Sequence, residues 1–325
     1  MFFINQKVYT SNNLRKRVSL IRGTKRMTNG SVSASDVFFG RAAPTERSFR
    51  NKIVGLIALQ EMGLNIMIMP VALGTAALAG ARLDALQLLP LLVVVFLASG
   101  VAMMTNDVID AERDKEKWPL KPLATGLISK SEAIFCMAIW AVLGIVIAVV
   151  FFNWLILALG LLVLAGNLVY SRYLRDNIGY LTVILPLVLV PVGIWSGFSP
   201  ETVLTPLPWL LALFMAAYAP VVQIPTEALD PTIPALFVRP RPTTERALYV
   251  ASVVAMFVFG FAIYLYAQLS WLFVVVLAVF AAALLTQARN LGDDRSREKL
   301  EIGFKLDSVG LSIYWLSIAA FVWVK

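Results

Sequence analysis

The sequence predicts an all-α protein that crosses a membrane many times. Hydrophobic residues make up 59% of the 325 residues and charged residues only 15%, and the mean hydropathy is +0.78. A soluble domain carries about a quarter charged residues and roughly half apolar ones. The apolar residues lie in long runs separated by polar loops. Backbone groups in lipid must be hydrogen-bonded internally, so each run is expected to form a helix.

Nine apolar runs predict nine transmembrane helices. Most of the runs approach the roughly 20 residues that a helix needs to cross a bilayer. The runs lie at approximately 53–80, 87–106, 131–151, 154–170, 178–197, 206–222, 247–267, 269–287 and 306–324. We therefore expect one membrane domain over residues 53–325, preceded by a tail over residues 1–52.

The tail is basic, and no acidic residue precedes Asp36. An organellar presequence has such a composition. A disordered cytoplasmic tail has it too, and we favour the tail. No short apolar segment with a cleavage site precedes the first run, so a secretory signal is not expected.

The basic residues predict the orientation in the membrane. Of the 28 Lys and Arg residues, 26 lie in the tail and in alternate loops, and only Arg82 and Lys325 lie on the other side. Under the positive-inside rule, the N-terminus and the charged loops face the cytoplasm or an organelle interior, and the C-terminus lies opposite. This pattern explains the net charge of +8 without a nucleic-acid partner.

Two residue types limit the possible chemistry. The sequence contains no histidine, which excludes histidine acid-base catalysis and histidine metal ligands. Its one cysteine, Cys136, lies in an apolar run and allows no intrachain disulfide. Any general base must therefore be a carboxylate, Tyr, Lys or water.

An acidic stretch follows the second apolar run. Asn106, Asp107, Asp110 and Asp114 share one broad face of a helix at this spacing. Carboxylates stacked on one face repel each other unless a cation lies between them. Such oxygen ligands suit Mg²⁺, which substrate phosphates usually complete. A solvated helix end with ordinary ion pairs is the alternative interpretation.

Basic residues interleave with these acids and follow them. They are Arg113, Lys115, Lys117 and Lys121. A metal held by carboxylates beside cations suits a diphosphate, since both take up charge on a departing group. The alternative is that any inner loop carries such cations under the positive-inside rule.

This region resembles the first signature of the UbiA superfamily of intramembrane prenyltransferases. That signature reads NDxxDxxxD and precedes an Arg-Pro-Leu-x-Ser-Gly-like segment. Here residues 106–114 match it, and residues 121–126 read Lys-Pro-Leu-Ala-Thr-Gly, with Lys121 in place of the arginine. Nine helices are also the family number, and the resemblance extends over roughly residues 50–325.

The resemblance implies a nine-helix bundle around a central cavity, with two acidic motifs that hold Mg²⁺ and a prenyl diphosphate. An acceptor then captures the allylic cation. Carried over by position, Asn106, Asp110 and Asp114 bind the metal and the diphosphate, and the two aspartates are catalytic. Lys117 and Lys121 bind the diphosphate.

A family motif Tyr-x-x-x-Lys-Arg often joins the fourth and fifth helices. Here Tyr170 and Arg175 match, Leu174 replaces the lysine, and Arg172 lies nearby. The resemblance implies that Tyr170, Arg172 and Arg175 contact the diphosphate. Aromatic and basic residues are also common where a helix leaves a membrane, which is the alternative.

The second acidic motif departs from the family pattern, in which some members read Lys-Asp-Ile-Pro-Asp-x-Glu-Gly-Asp. Here Asp230 is in register, Gln223 and Thr226 replace two aspartates, and Glu227 lies one place off. The resemblance implies that Glu227 and Asp230 are catalytic, that Asp230 binds metal and that Gln223 binds substrate. Neutral oxygens carry less charge, so a second Mg²⁺ is expected to bind more weakly or through other ligands.

Glu61 and Asn65 lie one helical turn apart inside the first run. An ionisable residue within a membrane helix is costly and usually faces a cavity. The pair could bind the acceptor, with Glu61 as its base. A buried polar contact, for example to Gln60 or Asn167, is the alternative. We favour the cavity and assign both residues to substrate binding.

The leading hypothesis is a Mg²⁺-dependent enzyme that ionises a polyprenyl diphosphate and transfers the prenyl group to an acceptor such as an aromatic ring. The second is a membrane terpene cyclase, which keeps the ionisation but needs no acceptor. A transporter or a catalytically inactive homologue is the third. The expected partners are a prenyl diphosphate, a lipophilic or aromatic acceptor and membrane lipid.

Overall fold

The structure is a computed structural model, and it describes residues 37, 42–44, 46–169, 172–173, 181–229, 242–291 and 297–324. These residues contain α-helices and turns and no strand, which confirms the all-α prediction. The helices are α1 (Phe49–Leu59), α2 (Met62–Leu78), α3 (Ala85–Lys117), α4 (Lys130–Phe151), α5 (Trp154–Val169), α6 (Leu181–Phe198), α7 (Pro206–Leu229), α8 (Pro242–Ala267), α9 (Trp271–Asn290) and α10 (Arg297–Trp323).

Most of these helices can cross a membrane. In the described part of the chain, α3, α4, α7, α8, α9 and α10 each contain a segment that is long and apolar enough to do so. Shorter apolar helices lie at Asn65–Leu78, Trp154–Val169 and Ile184–Phe198. Large apolar side chains such as Val149, Leu162 and Val279 lie exposed on the outer faces of the helices, as lipid contact requires. The prediction of an integral, multi-pass membrane protein is confirmed.

The count of nine helices is not confirmed, because the described ranges hold ten α-helices. The first predicted span is divided between α1 and α2. At this break, Glu61 adopts left-handed backbone angles, with φ 46° and ψ 57°. A residue with a side chain rarely adopts this conformation. The Asn65 Nδ2 group donates to the Gln60 carbonyl at 2.9 Å and satisfies one backbone group at the break.

The largest core cluster lies among α7, α8, α9 and α10 and contacts α2. Its centre is the Tyr314 ring, which stacks on Phe214 with ring centroids 4.4 Å apart. Helix α10 packs closely on α2 at Gly74. A Cβ atom at Gly74 would lie 2.7 Å from both the ring and the carbonyl oxygen of Trp315. Glycine therefore permits this approach of the two helices.

A second core cluster holds the loop between α3 and α4 against the bundle. Leu123, Leu127 and Ile128 of this loop are buried with Leu59 of α1 and Met104 of α3. The loop turns at Gly126, whose φ is +71°. A capping box then starts α4: the Ser129 hydroxyl accepts from the Glu132 N–H, and the Glu132 carboxylate accepts from the Ser129 N–H. This packing determines where the loop's cations lie.

Candidate active site

The acidic stretch lies on the last three turns of α3. The helix continues without interruption beyond its apolar part, so Asn106, Asp107, Asp110 and Asp114 are all helical, as the spacing predicts. The Asp107, Asp110 and Asp114 side chains are only 2%, 8% and 8% exposed. A solvated helix end would expose them, as it does Glu112, whose side chain is 70% exposed. Burial of three neighbouring carboxylates therefore favours a functional site.

Lys121 reaches this acidic face from the following loop. Its Nζ atom lies 2.6 Å from Asp107 Oδ1 and 3.2 Å from Asp114 Oδ2, and its side chain is 13% exposed. Burial alone would lower the pKa of the Lys121 ammonium, but the Asp107, Glu61 and Asp114 carboxylates outweigh this effect and hold that pKa above its usual range. Lys121 is therefore a permanent positive charge within the site.

Arg113 supplies a second cation. Its guanidinium donates to Asp110 Oδ1 at 2.6 Å, from the next turn of the same helix. A guanidinium binds carboxylate and phosphate with the same planar set of donors. By contrast, Lys115 pairs with Glu112 at the protein surface, at 2.8 Å. Only some of the predicted cations therefore lie on the buried acidic face.

Glu61, which the sequence predicts as a substrate-binding residue, is distant in sequence from the acidic stretch but contributes to its electrostatics. The Glu61 carboxylate is among the charges that hold the pKa of the Lys121 ammonium above its usual range, and Glu61 lies at the break between α1 and α2. The break between α1 and α2 therefore faces the acidic end of α3. Asn65 is fully buried and bonds to the Gln60 carbonyl, which agrees with the polar-contact alternative, whereas the Asn167 amide bonds to the Ala102 carbonyl at 2.9 Å.

Two further predicted site residues belong to other segments of the bundle. Arg172 is exposed, and Gln223 is half-buried on α7. Tyr170, Arg175 and Asp230 lie outside the described residues, as do the side chains of Lys117 and Glu227. The assignments of the second motif and of the Tyr170 segment therefore stay predictions.

The donor set of the acidic face suits a metal that binds together with a diphosphate. Within the described ranges, no group of three Asp, Glu or Cys side chains could hold a metal ion by itself. Mg²⁺, however, is usually bound by one or two carboxylates, several waters and substrate phosphates. Asp110 and Asp114, with the Asn106 amide oxygen, provide such a partial set. The Asp107 Oδ2 atom is also buried without a hydrogen-bond partner.

Two buried carboxylates were not assigned from the sequence. Asp107 was recognised as part of the motif but given no role, although it is the most buried carboxylate of the face. Asp307 is buried on α10, where it interacts with the Tyr218 and Tyr249 hydroxyls without a hydrogen bond of standard geometry. An acidic residue inside the last apolar run was the available signal.

Comparison with solved structures supports this fold. The chain is similar to a UbiA homologue from Aeropyrum pernix K1 at 21% identity and a TM-score of 0.64, covering 79% of this chain and 97% of that one. A structure of digeranylgeranylglyceryl phosphate synthase matches at 17% identity and a TM-score of 0.61, covering 84% and 99%. A UbiA homologue from Archaeoglobus fulgidus matches at 17% and 0.54, covering 83% and 99%.

Comparison with curated proteins found no match to this sequence. The family model of the UbiA prenyltransferase family, however, matches residues 67–309, which include the complete acidic face of α3. This match spans about three quarters of the chain, and the structural similarities cover 79% to 84% of it. The protein therefore belongs to the UbiA prenyltransferase family, and its fold is that of an intramembrane prenyltransferase.

Proposed function

We propose that the protein is a Mg²⁺-dependent prenyltransferase that ionises a prenyl diphosphate at the end of α3 and transfers the prenyl group to an acceptor, such as an aromatic ring. The observation that carries this proposal is the buried charged face at the end of an apolar helix. Asp107, Asp110 and Asp114 are buried there with Lys121 and Arg113 directly on them. Burying this many charges is costly even when they are paired, so such a group is usually associated with binding or catalysis.

The residues of this face would have two roles in binding a diphosphate, namely metal binding and direct contact with phosphate oxygens. Asn106, Asp110 and Asp114 would hold Mg²⁺, which would withdraw negative charge from the diphosphate. In this proposal, the Lys121 ammonium and the Arg113 guanidinium donate hydrogen bonds to phosphate oxygens. Their positive charge favours the departure of diphosphate, because negative charge develops on that group as the bond breaks.

The proposed reaction balances without a redox partner. The allylic C–O bond breaks, its electron pair leaves with diphosphate, and the acceptor forms the new bond to the allylic cation, through carbon for an aromatic ring or through oxygen for a hydroxyl. The acceptor then loses a proton to a carboxylate or to water, since the chain contains no histidine. Apolar side chains next to the face, such as Met104 and Leu123, limit the access of water to the cation.

We also propose that the N-terminus and this site face the cytoplasm or an organelle interior, with the C-terminus on the opposite side. The distribution of 26 of 28 Lys and Arg residues supports this orientation. Cysteine labelling from either side of sealed vesicles tests it, with single cysteines introduced at Lys115 and Arg82 in a protein that carries Cys136→Ser. Labelling of both positions from the same side would contradict the proposal.

The function is tested with purified protein in detergent, Mg²⁺ and prenyl diphosphates of several chain lengths, with and without acceptors. The acceptors include aromatic acids and a glyceryl phosphate lipid, because one structural neighbour is digeranylgeranylglyceryl phosphate synthase. Diphosphate release and prenylated products are measured for the wild type, for Asp110→Ala and for the exposed control Glu112→Gln.

Diphosphate release that requires an acceptor, persists in the Glu112 variant and disappears in the Asp110 variant supports the transferase. Hydrocarbon products without any acceptor would instead favour the terpene cyclase, which the replacements Gln223 and Thr226 in the second motif also allow. Absence of diphosphate release with every substrate would reject both enzymes and leave the transporter or the inactive homologue.

A further inference from the structure

A segment that precedes and begins α1 packs along the loop between α3 and α4. It comprises residues 42–44 and 46–52, and we call it the strap. The Ala43 N–H donates to the Leu120 carbonyl at 2.9 Å, and Leu120 is the residue directly before Lys121. Ala43 is also fully buried, although it lies in the range that the sequence assigns to the tail. A solvated tail has few buried contacts, so this burial and this bond indicate a specific contact.

Two further contacts of the strap follow in the same order along both segments. A Cβ atom at Gly126, where the loop turns, would lie 3.2 Å from the Arg47 guanidinium, so this arginine lies directly beside the turn. The Lys52 ammonium, in the first turn of α1, pairs with the Glu132 carboxylate that caps α4. The strap therefore runs alongside the loop from the residue before Lys121 to the first turn of α4.

The strap and the inner side of the loop share one core cluster. Ala43 is buried there together with Leu123 and Leu127 of the loop. Lys121 lies between Leu120 and these two leucines, and its Nζ atom is 2.6 Å from Asp107 Oδ1. Holding a long side chain in one ion pair costs conformational entropy, and a backbone that is already fixed on both sides lowers that cost.

The loop's own hydrogen bonds have a different effect. The Thr125 N–H donates to the Lys121 carbonyl at 2.9 Å, and the Ile128 N–H donates to the Pro122 carbonyl at 3.2 Å. These bonds shape the turns within the loop and do not determine where the loop lies. The bond from Ala43, by contrast, ties the loop to a segment that is distant in sequence.

We propose that the strap positions Lys121: the Ala43 N–H fixes the loop at Leu120 and so holds the Lys121 ammonium on the acidic face of α3. This placement stands without the function proposed above, whereas its consequence for diphosphate binding rests on that function. Without the strap, the loop can leave the bundle, and Lys121 loses its fixed position beside Asp107 and Asp114. The strap is therefore a structural part of the active site.

Amine labelling and steady-state kinetics of the full-length protein in detergent test this proposal. Ala43→Pro removes the N–H donor, whereas Ala43→Gly keeps it. The reactivity of Lys121 is measured by timed acylation with an amine-reactive ester and mass spectrometry, and Lys115, whose side chain is 53% exposed, is the internal reference. The control for general destabilisation is Gly74→Ala, which disturbs the packing of α2 on α10 and not the strap.

We expect Lys121 to be acylated much more slowly than Lys115 in the wild type, because its ammonium is buried and paired. Ala43→Pro should accelerate the acylation of Lys121 about tenfold and leave that of Lys115 unchanged, since only the loop opens. Ala43→Gly and Gly74→Ala should keep Lys121 protected. Ala43→Pro should also lower kcat/KM for the prenyl diphosphate about tenfold, because a cation that stabilises the leaving group is misplaced, and Ala43→Gly should restore most of it.

Unchanged protection of Lys121 in Ala43→Pro would overturn the proposal. Equal loss of protection in Gly74→Ala would overturn it too, because Lys121 would then report general destabilisation. If Ala43→Pro does not fold, the double variant Arg47→Ala with Lys52→Met removes the other two strap contacts at exposed side chains. Faster acylation of Lys121 in that variant supports the strap, and an unchanged rate refutes it.

The two readouts separate this proposal from the proposed function. If the wild-type protein releases diphosphate from no substrate, the proposed function fails, and the acylation rates alone decide the role of the strap. If the protein is active and the acylation of Lys121 does not respond to Ala43→Pro, the strap proposal fails and the proposed function stands.

Discussion

The buried ion pair between Lys121 and Asp107 allows the sharpest prediction, because removing one partner and removing both should have opposite consequences. In Lys121→Met, the Asp107 carboxylate keeps its burial but loses its cation. In the double variant Lys121→Met with Asp107→Leu, both charges are replaced by apolar side chains of similar volume. Comparing the two variants separates the cost of an unpaired charge from the net value of the pair.

The magnitude follows from the burial of the two groups. The Asp107 and Lys121 side chains are 2% and 13% exposed and lie 2.6 Å apart, so solvent screens the pair weakly. Removing one partner of a buried pair costs about 3–5 kcal/mol, whereas replacing both by apolar residues is often neutral or stabilising. We expect Lys121→Met to lose about 3 kcal/mol and the double variant to recover part of that loss, because Asp114 loses the Lys121 ammonium in both variants.

Stability is measured by titrating the detergent-solubilised protein with sodium dodecyl sulfate and following tryptophan fluorescence. The matched control is Lys115→Met, whose side chain is 53% exposed and pairs with an exposed carboxylate. Exposed pairs contribute about 0–1 kcal/mol, so this control should unfold near the wild-type midpoint. A single variant as stable as the control, or a double variant no more stable than the single one, would refute the reasoning.

Three further predictions concern packing, burial and catalysis. Gly74→Ala should destabilise the protein by about 1–3 kcal/mol, because its Cβ would overlap an indole ring on α10. Gly160→Ala, where a Cβ has open space, should be neutral or slightly stabilising in the same unfolding assay. Asp307→Asn should be neutral or stabilising, since both buried carboxylate oxygens lack a hydrogen-bond partner. A loss of stability in this variant would show that neighbouring groups compensate the Asp307 charge. Asp110→Ala should lower Mg²⁺-dependent diphosphate release by about 100-fold or more, and Glu112→Ala should not.

The membrane fold and the first acidic face could be predicted because their signals are local. Hydrophobic runs of sufficient length are required by the bilayer itself, and the spacing of residues 106–114 places their polar groups on one helix face whatever surrounds it. The structure confirms the all-helical membrane fold and the helix through these residues. The count of nine helices is not confirmed, because hydropathy does not detect the backbone break at Glu61, which divides the first predicted span into two helices.

Contacts between distant segments could not be predicted in this way. Every span is apolar on most of its surface, so hydropathy does not indicate which faces meet. The sequence identified Asp107 and Lys121 within one motif and Glu61 far from it, but it assigned no pairing among them. The ion pair between Asp107 and Lys121 depends on how the loop after α3 packs on α1, which buries both groups. The local sequence thus determined the class of protein and the acidic face. Tertiary packing decided which charges are buried and which lysine forms an ion pair with which carboxylate.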